Sequence, residues 1–179
     1  MTFKSLCVSA CLAALLPVAT QAATYTFDID ALTANVNGAG QATISLNAGD
    51  AFTVSVDPLD TWSLGAPPRN FDANGYETTL GFSYGAPSMF GQQFQFGTLV
   101  ARIGASPNPF FQIGTSFSGV AAISGVLNMF NWDTAYGDNS GFLRVTITTP
   151  DTAAVPLPAT ALLLLGALGG MAGLRRRKA

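Results

Sequence analysis

Strict alternation of apolar and polar residues is the feature that most limits the fold of this chain. It runs through residues 25–30, 51–56 and 143–148, where every second side chain is aromatic or aliphatic. A two-residue period turns one face of a strand toward a core and the other toward water. Further strand candidates are residues 43–46, 98–103, 110–113 and 126–130.

No stretch between the two ends of the chain repeats its apolar residues at the 3.6-residue period of a helix, and turn residues interrupt the sequence every six to twelve positions. This pattern predicts an all-β fold, an antiparallel β-sandwich. About 130 residues suit one domain with a single core. We therefore assign residues 23–150 to the sandwich and residues 151–154 to a linker.

The N-terminus has the order of a secretory signal. Lys4 precedes an apolar run over residues 6–18, and the small residues of ATQAA follow. This order predicts export by the Sec route and cleavage after Ala22, so that residues 1–22 are a signal peptide. The alternative is a lipoprotein box, VSAC, ending at Cys11. Because Cys7 and Cys11 are the only cysteines, the mature chain is expected to lack disulfides and thiolate metal ligands.

The C-terminus joins a proline motif to 16 uncharged residues, 159–174, and then to four basic residues, 175–178. A helix over the uncharged residues would be about 24 Å long, which is marginal for a hydrocarbon core of about 30 Å. The basic residues would stay on the cytoplasmic side and leave residues 23–155 outside. The alternative is a buried helix of a soluble domain, which four consecutive basic residues disfavour.

This terminus resembles the PEP-CTERM class of bacterial sorting signals in its VPLPA variant, over residues 155–179. The resemblance implies recognition and cutting by an exosortase-type membrane protease, after a transient stay in the inner membrane of a Gram-negative, exopolysaccharide-producing bacterium. It implies a cell-surface or extracellular destination. The residues that match the signal are Val155, Pro156, Leu157, Pro158, Ala159, Arg175, Arg176 and Arg177.

Charge and composition exclude several classes of function for the exported part. Residues 23–154 hold all ten acidic residues and only three arginines, for a formal charge of −7, which disfavours nucleic acid as a partner. The chain has no histidine, and Glu77 is its only glutamate, so most nucleophile and base arrangements are missing. We expect no enzymatic activity. The alternative is a glycosidase-like pair, Asp57 and Asp60, whose simpler role is to cap turns.

The segment NWDTAYGDNSGF, residues 131–142, gathers carboxylates and amides around glycines. Calcium takes six to eight oxygen ligands of these kinds. We expect Gly137 and Gly141 to turn the backbone sharply, so that Asp138 and Asn139 could face the same ion as Asn131 or Asp133. An ordinary hairpin loop would have a similar composition.

Four segments resemble the calcium-dependent galactose-binding lectins of the PA-I type. They are AGDAFTVSVDPLDTWSLG (48–65), GTLVARIG (97–104), FFQIGTSF (110–117) and NWDTAYGDNSGFLRVTI (131–147). The resemblance covers most of residues 41–148 and implies a small sandwich of the galactose-binding or jelly-roll-like kind. It also implies calcium as a cofactor and a glycan or exopolysaccharide as a partner.

Carried over by position, the resemblance implies calcium ligands on two loops. Asp138 and Asn139 match the paired amide ligands of the family, and Ala135 matches a backbone ligand. Asn131 matches the acidic ligand, unless a shifted loop lets Asp133 take that place. A last backbone carbonyl is expected near Leu64.

Two differences from the family change what can be expected. The acidic ligand has become Asn131 while an amide has become Asp138, an exchange that keeps the local charge. The family's sugar-binding histidine and glutamine are missing from residues 67–76, so galactose specificity does not transfer.

In such lectins the sugar hydroxyls complete the calcium shell. Asp138, Asn139 and Asn131 would then contact the sugar, and Trp62 would stack on it or else belong to the core. Selectivity would come from Arg69, Asp72 or Asn74. The alternative function is a structural extracellular-matrix or biofilm protein without sugar binding.

Overall fold

Short antiparallel strands make up nearly all of the regular structure in residues 22–65 and 69–150, the part of the chain that this computed structural model describes. The strands are β1 (Ala23–Asp30), β2 (Gln41–Leu46), β3 (Ala51–Val56), β4 (Trp62–Ser63), β5 (Asn70–Phe71), β6 (Ser88–Met89), β7 (Gln92–Gln93), β8 (Leu99–Ile103), β9 (Phe111–Gln112), β10 (Ser116–Val120), β11 (Gly125–Asn131) and β12 (Phe142–Thr149).

The signal peptide, the linker and the sorting signal expected from the sequence lie outside the described residues. Within residues 22–65 and 69–150, no helix is long and apolar enough to cross a membrane. The helix expected over residues 159–174 lies outside these described residues. Contacts between residues group Ala22–Asp151 into one unit.

Two four-stranded sheets form the body of this unit. Sheet A has the strand order β1-β12-β3-β10, and sheet B has the order β2-β11-β8-β9. All neighbouring strands in both sheets run antiparallel. The expectation of an all-β antiparallel sandwich is confirmed for the described residues.

The apolar residues of the alternating strands form the core between the two sheets. On β12, Leu143, Val145 and Ile147 are fully buried, while the residues between them are exposed or half-buried. They pack in one cluster with Leu127 and Met129 of sheet B. Burying a side chain of this size contributes about 1.5–3 kcal/mol, so this face holds the two sheets together.

Sheet B is covered on its outer face as well. Val100, Phe110, Phe130 and Trp132 form a second buried cluster with Val36 there, and Met89 and Phe94 pack against it. The long segment between β5 and β8 supplies these last two residues. This segment therefore packs on the sandwich and brings its other residues close to the end of β11.

The strand β10 was not expected from the sequence. Its side chains alternate weakly, because Gly119 occupies one position of the inward face. A Cβ atom at Gly119 would lie 2.7 Å from Cζ of Phe117, so the ring of Phe117 needs the space that glycine leaves. Of the five two-residue strands, β9 lies within the expected strand 110–113, and the other four were not expected, since they are too short to show a period.

One buried carboxylate organises the loop that follows β5. Glu77 is fully buried, and it accepts hydrogen bonds from the N–H groups of Asn70 (3.2 Å), Thr79 (2.9 Å) and Leu80. Burial raises the pKa of the Glu77 carboxyl, but the hydrogen bonds from Leu80, Thr79 and Asn70 lower it more, and the resulting pKa lies below its usual value.

We expect Glu77 to make the stability of this domain pH-dependent. A folded-state pKa below the unfolded value gives stability that is present above the unfolded value, about 4.3, and is lost as the pH falls through the folded one. Glu77→Gln should flatten the fall in unfolding free energy below pH 5, measured by urea titration. Asp28→Asn, which breaks an exposed ion pair with Arg144, is the comparison variant. The hydrogen bond from Arg144 also lowers the pKa of Asp28, but solvent screens this pair, so the variant should flatten the profile less than Glu77→Gln does. An unchanged pH profile in Glu77→Gln would contradict the assignment.

Candidate functional site

The segment between β11 and β12 crosses from sheet B to sheet A at one end of the sandwich. It contains a 3₁₀ turn, Tyr136–Asp138. Gly141 has a φ of +80°, so it makes the turn that was expected of it. The chain also turns at Gly137, which lies inside the 3₁₀ turn, but this residue has no positive φ.

A second loop lies directly beside this segment. The backbone groups of Ser63 and Ser140 exchange two hydrogen bonds of 2.9 Å each, and the N–H of Gly65 donates to Oδ1 of Asn139 at 3.2 Å. The Trp62–Gly65 loop thus lies next to the Asp-Asn-Ser-Gly stretch, although more than 70 residues separate them in sequence.

The two loops share a pocket of about 610 Å³. The lining residues from the crossing segment form an oxygen-rich wall, and those from residues 69–96 are mainly aromatic or apolar and include one arginine. The residues that line it are Leu64, Gly65, Arg69, Tyr84, Ala86, Pro87, Phe96, Asp133, Ala135 and Asp138.

Asp133 is a buried carboxylate on the oxygen-rich wall, only 4% exposed. Its Oδ1 accepts from the N–H of Ala135 at 2.8 Å and its Oδ2 accepts from Nδ2 of Asn139 at 3.1 Å. Among the described residues the only ion pair joins Arg144 to Asp28. Asp133 therefore has neutral hydrogen-bond donors but no cationic partner there, which is costly for a buried charge.

Asn131 lies behind this wall and does not line the pocket. It is fully buried, and its Nδ2 donates to the carbonyl oxygen of Ala31. Its Oδ1 is buried without a hydrogen-bond partner in the described part of the chain. Of the two residues considered for the acidic position, Asp133 is the one at the pocket surface.

Asn139 connects these groups and is itself buried. Its Nδ2 lies 3.1 Å from Oδ2 of Asp133 and 3.4 Å from the Ala31 carbonyl oxygen. Asp138 is exposed and lies near Gly65, because a Cβ atom at Gly65 would be 3.7 Å from Asp138 Oδ2. Asp138, unlike Asn131 and Asn139, is thus accessible to a ligand.

Trp62 does not line the pocket, and the expectation that it stacks on a sugar is wrong. It is only 1% exposed and belongs to the core. Its indole Nε1 donates to the carbonyl oxygen of Gly97 at 3.2 Å. The alternative interpretation, a core tryptophan, is the correct one.

Asp72 and Asn74 also do not line the pocket. Asp72 Oδ1 accepts from the N–H groups of Asn74 and Tyr76, both at 2.9 Å, and Asn74 Oδ1 accepts from the N–H of Thr115 at 3.1 Å. The Asp72 side chain thus stabilises its own loop, and the Asn74 side chain joins that loop to the residue before β10. Of the three residues expected to set selectivity, only Arg69 lies at the pocket.

Tyr84, Phe96 and Pro87 form an aromatic and apolar wall that the sequence reasoning missed. They come from the segment between β5 and β8, which has no clear period and no local motif. The density of aromatic residues at 82–96 was the only available signal.

The ligand atoms that the oxygen-rich wall offers suit a hard cation such as calcium. They are carboxylate, amide and carbonyl oxygens, and the buried Oδ1 of Asn131 has no other partner among the described residues. Asn139 would have to rotate its amide by half a turn to direct its oxygen at an ion shared with Asp133. Within residues 22–65 and 69–150, no cluster of three or more His, Cys, Asp or Glu could hold a metal ion, so amide and backbone oxygens would complete the set.

The aspartates considered for glycoside hydrolysis lie elsewhere, on a groove of about 580 Å³ along the outer face of sheet A. Asp57 Oδ1 accepts from the N–H of Leu59 at 2.9 Å, and Asp60 Oδ2 accepts from the N–H of Arg144 at 2.6 Å. Both carboxylates therefore cap backbone groups, which is the simpler of the two roles considered.

No family model matches the chain. No curated protein matches it either. Among solved structures it is similar to the EclA N-terminal domain, described as a PllA-like lectin, with 20% sequence identity over 70% of this chain and 95% of that chain, and a TM-score of 0.47.

The network around Asn139 gives a prediction that needs no bound ligand. Asn139→Ala removes a donor to buried Asp133 and an acceptor for Gly65, so the unfolding free energy measured by urea titration in a chelator should fall by about 1–3 kcal/mol. The neighbouring exposed variant Asp138→Ala should change it by less than about 0.5 kcal/mol. Equal effects of the two variants would show that the network contributes nothing.

Proposed function

We propose that this protein is an exported, non-enzymatic carbohydrate-binding protein that uses a calcium site in the pocket between residues 62–65 and 131–141. One observation carries the proposal. Four of the six residues named as calcium ligands by the sequence resemblance line this pocket, and a fifth, Asn139, is hydrogen-bonded beneath it. The four are Leu64, Asp133, Ala135 and Asp138.

The charge distribution supports a cation in this pocket. Asp133 is a buried carboxylate whose known partners are neutral N–H groups, and a cation would offset the cost of its burial. Asp133 and Asp138 would hold calcium with the oxygens of Asn139, Ala135 and Leu64. When bound, calcium would supply a positive charge that attracts the hydroxyl oxygens of a sugar.

The two sides of the pocket suit the two kinds of surface that a sugar has. Asp138 is exposed and can accept hydroxyl protons, while Tyr84 and Phe96 offer aromatic rings to the apolar C–H face. Sugar recognition would therefore depend on both walls. The buried Oδ1 of Asn131 would contribute to calcium binding from behind the oxygen-rich wall.

We also propose that the protein is sorted. Its signal peptide would direct export, the exosortase-type protease would cut near Val155–Ala159 after a membrane-anchored stage, and the exported domain would reach the cell surface or the medium. The motif and its basic residues, read from the sequence alone, support this part of the proposal.

The calcium site is tested by isothermal titration of the full-length protein with calcium chloride. We expect one site per chain, and we expect Asp133→Asn and Asp138→Ala each to weaken binding at least tenfold, since each removes a charged ligand, which is worth about 1.5–3 kcal/mol. Asp57→Asn, on the groove of sheet A, is the matched control and should bind like the parent. Absence of calcium uptake at millimolar concentration would reject the site.

A second candidate, a structural matrix protein, is favoured by one observation. The paired bonds of Ser63 with Ser140 and the bond from Gly65 to Asn139 join the two loops, so hydrogen bonds within the protein support an ordered crossing segment. A glycan array separates the two functions. Signals that a chelator abolishes support the lectin, and calcium uptake without any glycan signal supports the matrix protein.

The sorting proposal has a separate test. Deletion of residues 162–178 should send the protein into the medium without a membrane-bound form, because the apolar segment and its basic end are removed. Fractionation followed by immunoblotting measures this. Identical distributions of the deleted and full-length proteins would contradict the proposal.

A further inference from the structure

The aromatic wall of the pocket is part of a larger stack of rings. The Tyr84 ring centroid lies 5.4 Å from that of buried Phe71 and 5.9 Å from that of Phe96. Phe82 packs on the other side, with a centroid separation of 4.7 Å. Contacts of this kind fix the ring of Tyr84, which is 37% exposed, so it gives the pocket a firm wall.

Arg69 lies against this wall. Its Cζ is 5.0 Å from the centroid of the Tyr84 ring, a distance at which a guanidinium is attracted by the ring. Arg69 is the only cationic residue lining the pocket in the described part of the chain. No carboxylate among those described residues pairs with it, since the only ion pair there is Arg144 with Asp28.

Gly65 separates Arg69 from the acidic side. A Cβ atom at Gly65 would lie 3.4 Å from Nη1 of Arg69 and 3.7 Å from Oδ2 of Asp138, and the φ of Gly65 is +95°. The two charged groups therefore flank the same glycine without forming an ion pair. A ligand above Gly65 would meet a cation on one side and a carboxylate on the other.

We infer that Arg69, held against Tyr84, makes this pocket selective for sugars that carry a carboxylate, with uronic acids as the ligand class. The inference rests on the proposed function and deepens it. Arg69 would bind the carboxylate, and the hydroxyl groups of the same sugar would face Asp138 and Asp133.

The chemistry of the two groups favours this ligand. A guanidinium presents parallel N–H groups that match a planar carboxylate in a two-point contact, and stacking on Tyr84 already restricts its orientation. The formal charge of −7 over residues 23–154 repels polyanions in general. Attraction for an acidic sugar must then be local, and beside the proposed calcium ion Arg69 is the only cationic side chain that lines the described pocket. The variant Arg69→Gln separates the two, because it leaves the proposed calcium ligands in place.

The test compares neutral and acidic sugars that differ only at C6. Full-length protein is titrated in calcium with methyl α-glucoside and methyl α-glucuronide, and with the corresponding galactoside and galacturonide. We expect at least one uronide to bind about tenfold more tightly than its neutral partner, the value of one charge-assisted contact. Arg69→Gln should abolish that difference, and Arg69→Lys should restore part of it.

Control variants separate recognition from folding. Arg144→Gln removes an arginine from the outer face of sheet A and should leave both affinities unchanged. Tyr84→Ala should weaken both sugars, while Tyr84→Phe, which keeps the ring, should bind like the parent. As a second readout besides affinity, the Arg69 Nε–H resonance should shift when a uronide, but not its neutral partner, is added in calcium.

The outcomes distinguish this inference from the function on which it rests. The inference is overturned, and the lectin proposal stands, if neutral sugars bind in calcium as tightly as uronides do. The same holds if the preference for uronides survives Arg69→Gln. Tighter binding of a 6-sulfated sugar than of the uronide would also overturn it. Calcium uptake with no binding of any sugar would overturn both.

Discussion

The pocket depends on the way the chain passes from β11 in sheet B to β12 in sheet A. The backbone groups of that crossing belong to no strand ladder, so they need partners elsewhere. Ser63 satisfies part of this need through its paired bonds with Ser140, and the side chain of Asn139 in turn accepts from the N–H of Gly65. The same bonds that satisfy the crossing segment therefore bring a second loop to the pocket.

The sandwich could be predicted because its strands alternate strongly and are bounded by turns. The meeting of the crossing segment with the Trp62–Gly65 loop could be expected because a local motif, Tyr-Gly-Asp-Asn-Ser-Gly, marks the segment. Which of Asn131 and Asp133 lines the pocket could not be predicted, because spacing along the chain says nothing about which side chain turns inward at the end of a strand. Only the bond from Asn131 to Ala31, a contact across 100 residues, removes Asn131 from the surface.

Aromatic residues were the hardest part to place from the sequence. Trp62 and Tyr84 are both next to polar loops, yet the first has a core position with a satisfied indole N–H and the second lines the pocket. Burial of a large ring depends on distant partners such as Gly97 and Phe71. Neither partner lies within a window that a periodic pattern can report, so the sequence left the choice between stacking and core burial of Trp62 open.

All three arginines of residues 23–154 lie over aromatic rings: Arg69 over Tyr84, Arg102 over Phe110 and Phe130, and Arg144 over Phe142. The same span has no lysine. A trypsin-like protease would thus find only three bonds to cut in residues 23–154, and two of them follow residues of central strands, β8 and β12. The third follows Arg69, which lines the pocket, so a bound ligand of the proposed kind would shield it. Occupancy of the pocket and resistance to digestion would then be linked through a single peptide bond.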